Sequence, residues 1–290
     1  MINKKGKSFY FCWVFFITFV IFLYGPTFTI VLLSFQGPEG GLTFPMNGFS
    51  FHWFEKLWEG GGYVDIGSAF RRSILLGIIL MILTVILSVS TGMAFRKKFF
   101  GSNFLFFLTI SSLIVPSIIL SLGVALEFRL IDETIKFIGN KYNIDWIIND
   151  FQTTLNMFSS GLGAQLTWTL PFGLLIMFAI FNRFDKSYEE ASKDLGATSW
   201  QTFKYIVLPI IAPSVIGIAL FGFTLSYDEL ARSSQVMGAT NTLPLELKGL
   251  TTTVTTPVIY ALGTLTTGIS FLVIFIAICS FFIIKRKKIK

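Results

Sequence analysis

Glu189-Glu190-Ala191-Ser192-Lys193-Asp194-Leu195-Gly196-Ala197-Thr198-Ser199-Trp200-Gln201-Thr202-Phe203-Lys204-Tyr205-Ile206-Val207-Leu208-Pro209 is a polar, charged interval between two very apolar runs. Its punctuation predicts two short helices around a glycine. Ser187 with Glu190 three positions on is a capping-box pattern, in which the acid reaches back to a free N–H at the helix start, where negative charge is also favoured. Gly196 stands where that helix should stop, because glycine enters the left-handed region at little cost. Thr198 with Gln201 repeats the pattern and opens a second helix. Pro209 falls where the next apolar run begins. A helix-turn-helix held outside the membrane but fused to a membrane helix has the form of a docking handle.

The surrounding composition agrees. The 290 residues are 53% hydrophobic and 13% charged, with mean hydropathy +0.72, whereas soluble domains carry about 25% charged residues. This is the composition of an all-α polytopic membrane protein. Six apolar runs reach the length needed to cross about 30 Å of hydrocarbon: 9–35, 73–95, 104–126, 164–181, 206–225 and 258–284. The fourth carries Gln165, Thr167, Thr169 and Pro171 in its first half. Those groups must face protein or water, because lipid cannot satisfy them. The first run follows Lys4, Lys5 and Lys7 like a secretory signal. It is too long for that and has no small-x-small cleavage site, so it reads as an uncleaved span.

Orientation follows from the cations. With the N-terminus inside, one side collects Lys4, Lys5 and Lys7 of the 1–8 tail, Arg96-Lys97-Lys98, and Arg183, Lys186, Lys193 and Lys204. It also collects Lys285, Arg286, Lys287, Lys288 and Lys290 of the 285–290 tail. Twelve of the 16 acidic residues fall on the other side. This asymmetry predicts that both termini, and the 187–205 helix pair, are cytoplasmic. The net charge of +7 is thereby explained by membrane orientation, with no nucleic-acid partner required. Three loops face outward. The first holds Phe49, Phe51, Trp53, Phe54 and Trp58 and suits a short helix at the headgroup level. The second, about 127–163, is long enough to need helices of its own. The third, about 226–257, holds Asp228, Glu229 and Arg232.

Several chemistries find no residues to carry them. Gly60-Gly61-Gly62 is followed by no Gly-Lys-Ser/Thr, and no Walker sequence occurs elsewhere. His52 has no second His or Cys near it and reads as interfacial beside Trp53. Cys12 and Cys279 lie in apolar runs and read as small buried hydrophobes. No catalytic residue, metal ligand set or cofactor is expected. Carboxylates near the spans are confined to span ends, at Glu127 and Asp228, so a buried proton relay is absent. Uphill transport would then need an energy source in another chain.

The opening stretch also resembles the EAA motif of ABC-importer permeases, which runs Glu-Ala-Ala, three residues, Gly, nine residues, Ile-x-Leu-Pro. Here the positions are Glu190-Ala191-Ser192, Gly196 and Ile206-Val207-Leu208-Pro209, with Ser192 as the one departure. Further likeness to the spermidine/putrescine branch lies in Ile114-Val115-Pro116, Leu170-Pro171-Phe172, Phe223-Thr224-Leu225-Ser226-Tyr227-Asp228-Glu229, and Thr256-Pro257 before Ala261-Leu262-Gly263-Thr264-Leu265. The 129–163 loop is longer than that branch leads one to expect.

The resemblance implies a type I ABC-importer transmembrane domain with six helices in a bacterial inner membrane. Its implied partners are a cytoplasmic ABC ATPase dimer, a second homologous permease and an extracytoplasmic substrate-binding protein, with a polyamine as substrate and membrane lipid around it. Coupling to the ATPase falls by resemblance on Glu190, Ala191, Ser192, Asp194, Gly196, Ala197, Phe203, Ile206, Leu208 and Pro209. Lys193 and Asp194 also fit ordinary solvated charges. Asp228, Glu229, Tyr227, Ser226 and Glu127 are the candidate substrate path, since carboxylates at an outer mouth attract a polycation. An ordinary alternative pairs Asp228 with Arg232, and Glu127 with Arg129. Other solutes for the same architecture are ferric iron, thiamine or an anion. A membrane enzyme or scaffold would instead place catalytic polar groups within the spans.

Overall fold

The computed structural model describes residues 7–59, 66–97, 99–253 and 256–287. Lys4, Lys5, Gly60-Gly61-Gly62, Lys98, Thr255, Lys288 and Lys290 lie outside the described residues. The helices, in chain order, are α1 (Lys7–Leu33), α2 (His52–Trp58), α3 (Ile66–Phe95), α4 (Ser102–Ser111), α5 (Ser117–Tyr142) and α6 (Asp145–Asn149). They continue with α7 (Leu162–Phe181), α8 (Ser187–Asp194), α9 (Ser199–Thr202), α10 (Leu208–Tyr227), α11 (Leu243–Thr253) and α12 (Val258–Lys287). Wider π-turns at Met157–Gly161 and Phe203–Val207 lead into α7 and α10.

Among the described residues five helices are long and apolar enough to cross a membrane: Ser8–Leu33, Ile66–Phe95, Met157–Phe181, Ser199–Tyr227 and Val258–Ile276. The apolar run at 104–126 is not one helix. It breaks after Ser111 and restarts at Ser117. Pro116 is the reason the break falls there: it has no N–H to donate and disfavours helix in the residue before it. α5 then continues well past the apolar run, to Asn143 in a left-handed cap. The long 129–163 connection is therefore largely helix, as its length required.

The chain divides into two compact units. The first comprises Met1–Gly67 and Leu247–Leu272. Its loop after α1 is organised by Gln36, which is fully buried. Gln36 Oε1 accepts from Asn47 N at 2.7 Å and its Nε2 donates to Gly41 O at 3.2 Å. Tyr260 OH closes the same loop on Leu42 O at 2.8 Å. Phe35, Phe49, Phe51 and Phe54 cluster beside it, with the Phe35 and Phe49 rings stacked at 5.0 Å. Most of α1 is exposed within the chain, Cys12 included. The expectation that Cys12 is buried is thus corrected: a helix whose sides are apolar nearly all round offers its surface to lipid or partners, as membrane helices do.

The second unit, Ser68–Glu246 with Val273–Lys290, holds the candidate site. Its core joins α3, α7 and α10 through Val89, Met177, Phe181, Val207, Ile211 and Ile218, all buried. α3 and α7 approach closely enough that a Cβ at Gly173 would lie 2.0 Å from Ser88 Oγ. Small residues at such crossings replace the hydrophobic drive that lipid does not supply. The polar half of the fourth run is absorbed by protein partners. Thr84 Oγ1 donates to Thr169 Oγ1 at 2.8 Å, and fully buried Gln165 bonds Ser226 and Ser233.

Candidate functional site

The charged interval forms α8, a turn and α9. α8 ends where Gly196 enters the left-handed region at φ +82°. Gly196 N donates to Lys193 O at 2.8 Å and Ala197 N to Ser192 O at 3.0 Å, closing orphan carbonyls at the helix end. α9 opens on a complete capping box. Gln201 N donates to Thr198 Oγ1 at 3.3 Å, and Thr198 N donates to Gln201 Oε1 at 2.8 Å. The first expected capping box is not formed. Residue 186 already has helical dihedrals, and Asp185 Oδ1 takes the Ser187 N–H at 2.9 Å instead. With that donor satisfied from before the helix, Glu190 has no N–H to reach back to, and it projects into solvent.

Ser192 is buried, and its hydroxyl lies 2.8 Å from that of buried Thr202. This contact ties α8 to α9 across the glycine turn. It also gives the Ser192 departure a local reason, because an alanine would leave Thr202 without this partner. α9 runs without interruption through the π-turn at Phe203–Val207 into α10, so Ser199–Tyr227 is one long helix. Pro209 cannot donate to the carbonyl four residues back, and the widened turn directly before it is where the helix absorbs that loss. Phe203 and Leu208 pack against the α3–α7–α10 core, and Val207 within it is fully buried. Ala191, Asp194, Leu195 and Trp200 face outward, with Leu195 89% and Trp200 68% exposed. Ala197 and Ile206 are half-buried. The Trp200 ring stacks on Phe203 at 5.6 Å, so an exposed apolar platform sits on a firmly packed base.

Sequence reasoning counted Arg96 only as an orienting charge. The structure places it against Glu189. Nη1 and Nη2 meet Oε1 and Oε2 at 2.7 and 2.8 Å, a bidentate pair, and the guanidinium lies over the rings of Phe181 and Phe184 at 4.9 and 5.1 Å. Hydrogen bonding from Arg96 holds the Glu189 carboxyl below its ordinary range, against an opposing effect of burial. A cleft of about 340 Å³ opens beside the pair, bordered by Lys97, Lys186, Lys193 and Glu190. Residues 93 positions apart leave no periodicity by which this pairing could be read in advance.

At the far end of α10 the candidate path residues separate. Ser226 is buried and donates to Gln165 Oε1 at 2.6 Å. Tyr227 is 6% exposed and stacks on Phe223 at 5.7 Å, its hydroxyl making no hydrogen bond. Asp228 caps α10 and faces solvent. Glu229 Oε1 accepts from Arg232 N at 2.7 Å. Glu127 stands exposed on α5, and among the described residues no hydrogen bond or ion pair joins it to Asp228, Glu229 or Arg129.

Neither does Asp228 pair with Arg232. The Arg232 side chain is fully buried and turns into the bundle. Nη2 donates to Ser112 O at 2.9 Å, Nε to Ser117 Oγ at 3.4 Å and Nη1 to Thr167 Oγ1, while the guanidinium lies 4.7 Å over Trp168. It therefore satisfies the carbonyl left free where the 104–126 run breaks. Ser121 Oγ and Ser160 Oγ pin the same 228–242 segment through the carbonyls of Arg232 and Val236, at 2.7 and 2.6 Å. On α5, Asp132 accepts from Thr153 Oγ1 and from Thr154 Oγ1 and N, fastening the 143–156 segment back on that helix.

The sequence profile of the family described as binding-protein-dependent transport system inner membrane component matches residues 85–287. This chain belongs to that family. The matched range takes in the α8–α9 element, α10 and the 228–242 segment. The spermidine/putrescine transport system permease protein PotC of Haemophilus influenzae is 28% identical over 246 residues, covering 84% of this chain and 86% of that one. The putrescine transport system permease protein PotI of Escherichia coli K12 is 29% identical over 259 residues, covering 88% and 85%. The crystal structure of a bacterial ABC transporter involved in the import of the acidic polysaccharide alginate shares the fold. Its TM-score is 0.65 at 14% identity, over 96% of this chain and 95% of that one. The expected fold class, an all-helical permease-type membrane protein, stands, as does a place among inner-membrane transport components.

Proposed function

We propose that this chain is the membrane-spanning permease subunit of an ATP-driven ABC importer for a polyamine, spermidine or putrescine. The observation that carries the coupling half is the continuity of α9, the π-turn and α10. A force applied to the exposed α8–α9 surface is delivered to a span without passing through a flexible link. The charge asymmetry supports a cytoplasmic position for this element and for both termini. Glu190, Ala191, Asp194, Gly196 and Ala197 then face a cleft in a separate ATPase dimer. Ser192, Phe203, Ile206, Leu208 and Pro209 shape and seat the helices behind them. A second homologous permease and an extracytoplasmic binding protein complete the assembly. ATP binding favours the closed ATPase dimer, and differential contacts at α8–α9 shift the spans between inward- and outward-open states.

The polyamine half rests on the two relatives and on the acidic end of α10. Asp228 and Glu229 present negative charge where a polycation would enter, with Ser226, Tyr227 and Glu127 as further candidates along the path. The test is uptake into proteoliposomes holding the full complex. ATP-dependent putrescine accumulation, competed by spermidine and indifferent to ferric iron, thiamine and anions, is the expected result. Competition by one of those solutes instead would reassign the substrate. No ATP-driven uptake of any of them would favour a membrane enzyme or scaffold. Asp228→Asn should reduce putrescine uptake, and an unchanged rate removes Asp228 from the path.

A further inference from the structure

Arg96 stands one residue beyond the end of α3, and Glu189 lies in the first turn of α8. Their fork-to-fork contact fixes two distances, 2.7 and 2.8 Å. A single point-charge contact lets the partners swivel, whereas two parallel hydrogen bonds fix orientation as well as separation. Both side chains are largely withdrawn from water, at 13% and 18% exposure. The guanidinium is held from the other side by Phe181 at the end of α7 and by Phe184 just after it. Separating the pair would leave two charges partly buried without partners, a costly state. The pair therefore resists opening when α8 is pushed.

The chain gives α8 two covalent routes to the membrane, back through residues 182–186 to α7 and forward through Gly196, α9 and the π-turn into α10. Arg96 supplies a third connection, to α3, which is not adjacent in sequence. We propose that the Arg96–Glu189 pair is a rigid strut that transmits displacement of α8 to α3, so that α3 and α10 move as one body. Arg96 and Glu189 are positioning residues in this role. The inference rests on reading α8–α9 as the ATPase-docking element, and it adds a specific linkage to that reading. A guanidinium is required, since lysine keeps the charge and loses the fork. Glutamine at 189 keeps the size and loses the charge.

The experiment uses the complete complex in proteoliposomes and records ATP hydrolysis together with putrescine taken up per ATP hydrolysed. For Arg96→Lys and for Glu189→Gln, hydrolysis should stay within about twofold of wild type, while uptake per ATP falls about tenfold. The exchange Arg96→Glu with Glu189→Arg should recover a substantial part of uptake per ATP, and neither half alone should. Wild-type uptake per ATP in both conservative variants overturns the strut. So does a proportional loss of hydrolysis and uptake, which marks a merely structural contact. Should the exchanged pair fail to assemble, Glu189→Gln decides by itself, because it preserves volume at a part-exposed site. A wild-type complex without ATP-driven uptake is a different result: it removes the transport reading on which the strut rests.

Discussion

Ser192 and Thr202 share a buried hydrogen bond of 2.8 Å across the Gly196 turn. It joins the only two helices of the charged interval at the point where the chain reverses. Removing the Ser192 hydroxyl leaves that of Thr202 buried without this partner, which costs about 1–3 kcal/mol. Removing that of Thr202 costs less, because Ser192 Oγ also donates to Glu189 O at 2.9 Å. Ser192→Ala and Thr202→Val should each loosen α8, measured as faster amide exchange over 187–197. The double variant should recover most of the loss, because an apolar pair of similar shape has nothing left to satisfy. Additive losses in the double variant would show that the two hydroxyls do not depend on each other.

At Gly196 the left-handed φ of +82° and the surrounding space act separately. No atom of the chain lies within 4 Å of a Cβ built there, so any side chain pays only for backbone strain, about 1–2 kcal/mol. Gly196→Asn, a residue that tolerates this region, should fold and retain uptake. Gly196→Arg should remain in the membrane and lose ATP-driven uptake, since its side chain projects from the docking surface. Normal transport by Gly196→Arg would sink the coupling reading.

Arg232 should behave as a structural cation. Arg232→Met strips partners from Ser112 O, Ser117 Oγ and Thr167 Oγ1 together, and should lower stability by at least about 2 kcal/mol. Arg232→Lys should rescue little, because one ammonium cannot span three acceptors in the guanidinium plane. Thermal unfolding in detergent tests both. Equal melting of Arg232→Lys and wild type would show that charge alone suffices.

The acid side of the pH profile follows from Glu189. Its folded carboxyl is held below the ordinary value of 4.5. For a depressed carboxylate the stabilisation is complete above the unfolded value and is lost only as pH falls through the folded one. The melting difference between wild type and Glu189→Gln should therefore hold constant from neutral pH to about 4.5 and shrink only below it. A difference that fades between pH 7 and 5 would contradict the pairing. Asp132 follows the same sign. Burial alone would raise its carboxyl, but the hydrogen bonds from Thr153 and Thr154, with the Lys136 charge, leave it below 3.8.

Local chemistry was legible where it depends on neighbours in the chain. The glycine stop, the Thr198–Gln201 box and the helices around them follow from residues within four positions of each other, the range over which capping acts. Apolar runs of span length, and the need for Gln165, Thr167 and Thr169 to find partners, follow from what hydrocarbon cannot solvate. The Ser187–Glu190 box failed because a second acceptor, Asp185, sits two residues before Ser187 and takes the same N–H. The continuous third run failed because composition measures apolarity and not where the helix restarts after Pro116.

By itself, then, the sequence determined a polytopic helical membrane protein, its charge asymmetry and a capped helix-turn-helix attached to a span. Only the tertiary structure decided that Glu189 rather than Glu190 is the anchored acid, that its partner is Arg96, and that Arg232 leaves Asp228 for the broken helix at Ser112. Each of those choices is made by residues far apart along the chain, competing for buried donors and acceptors. Packing of α3, α7 and α10 brings the competitors within reach, and no spacing in the chain encodes which of them wins.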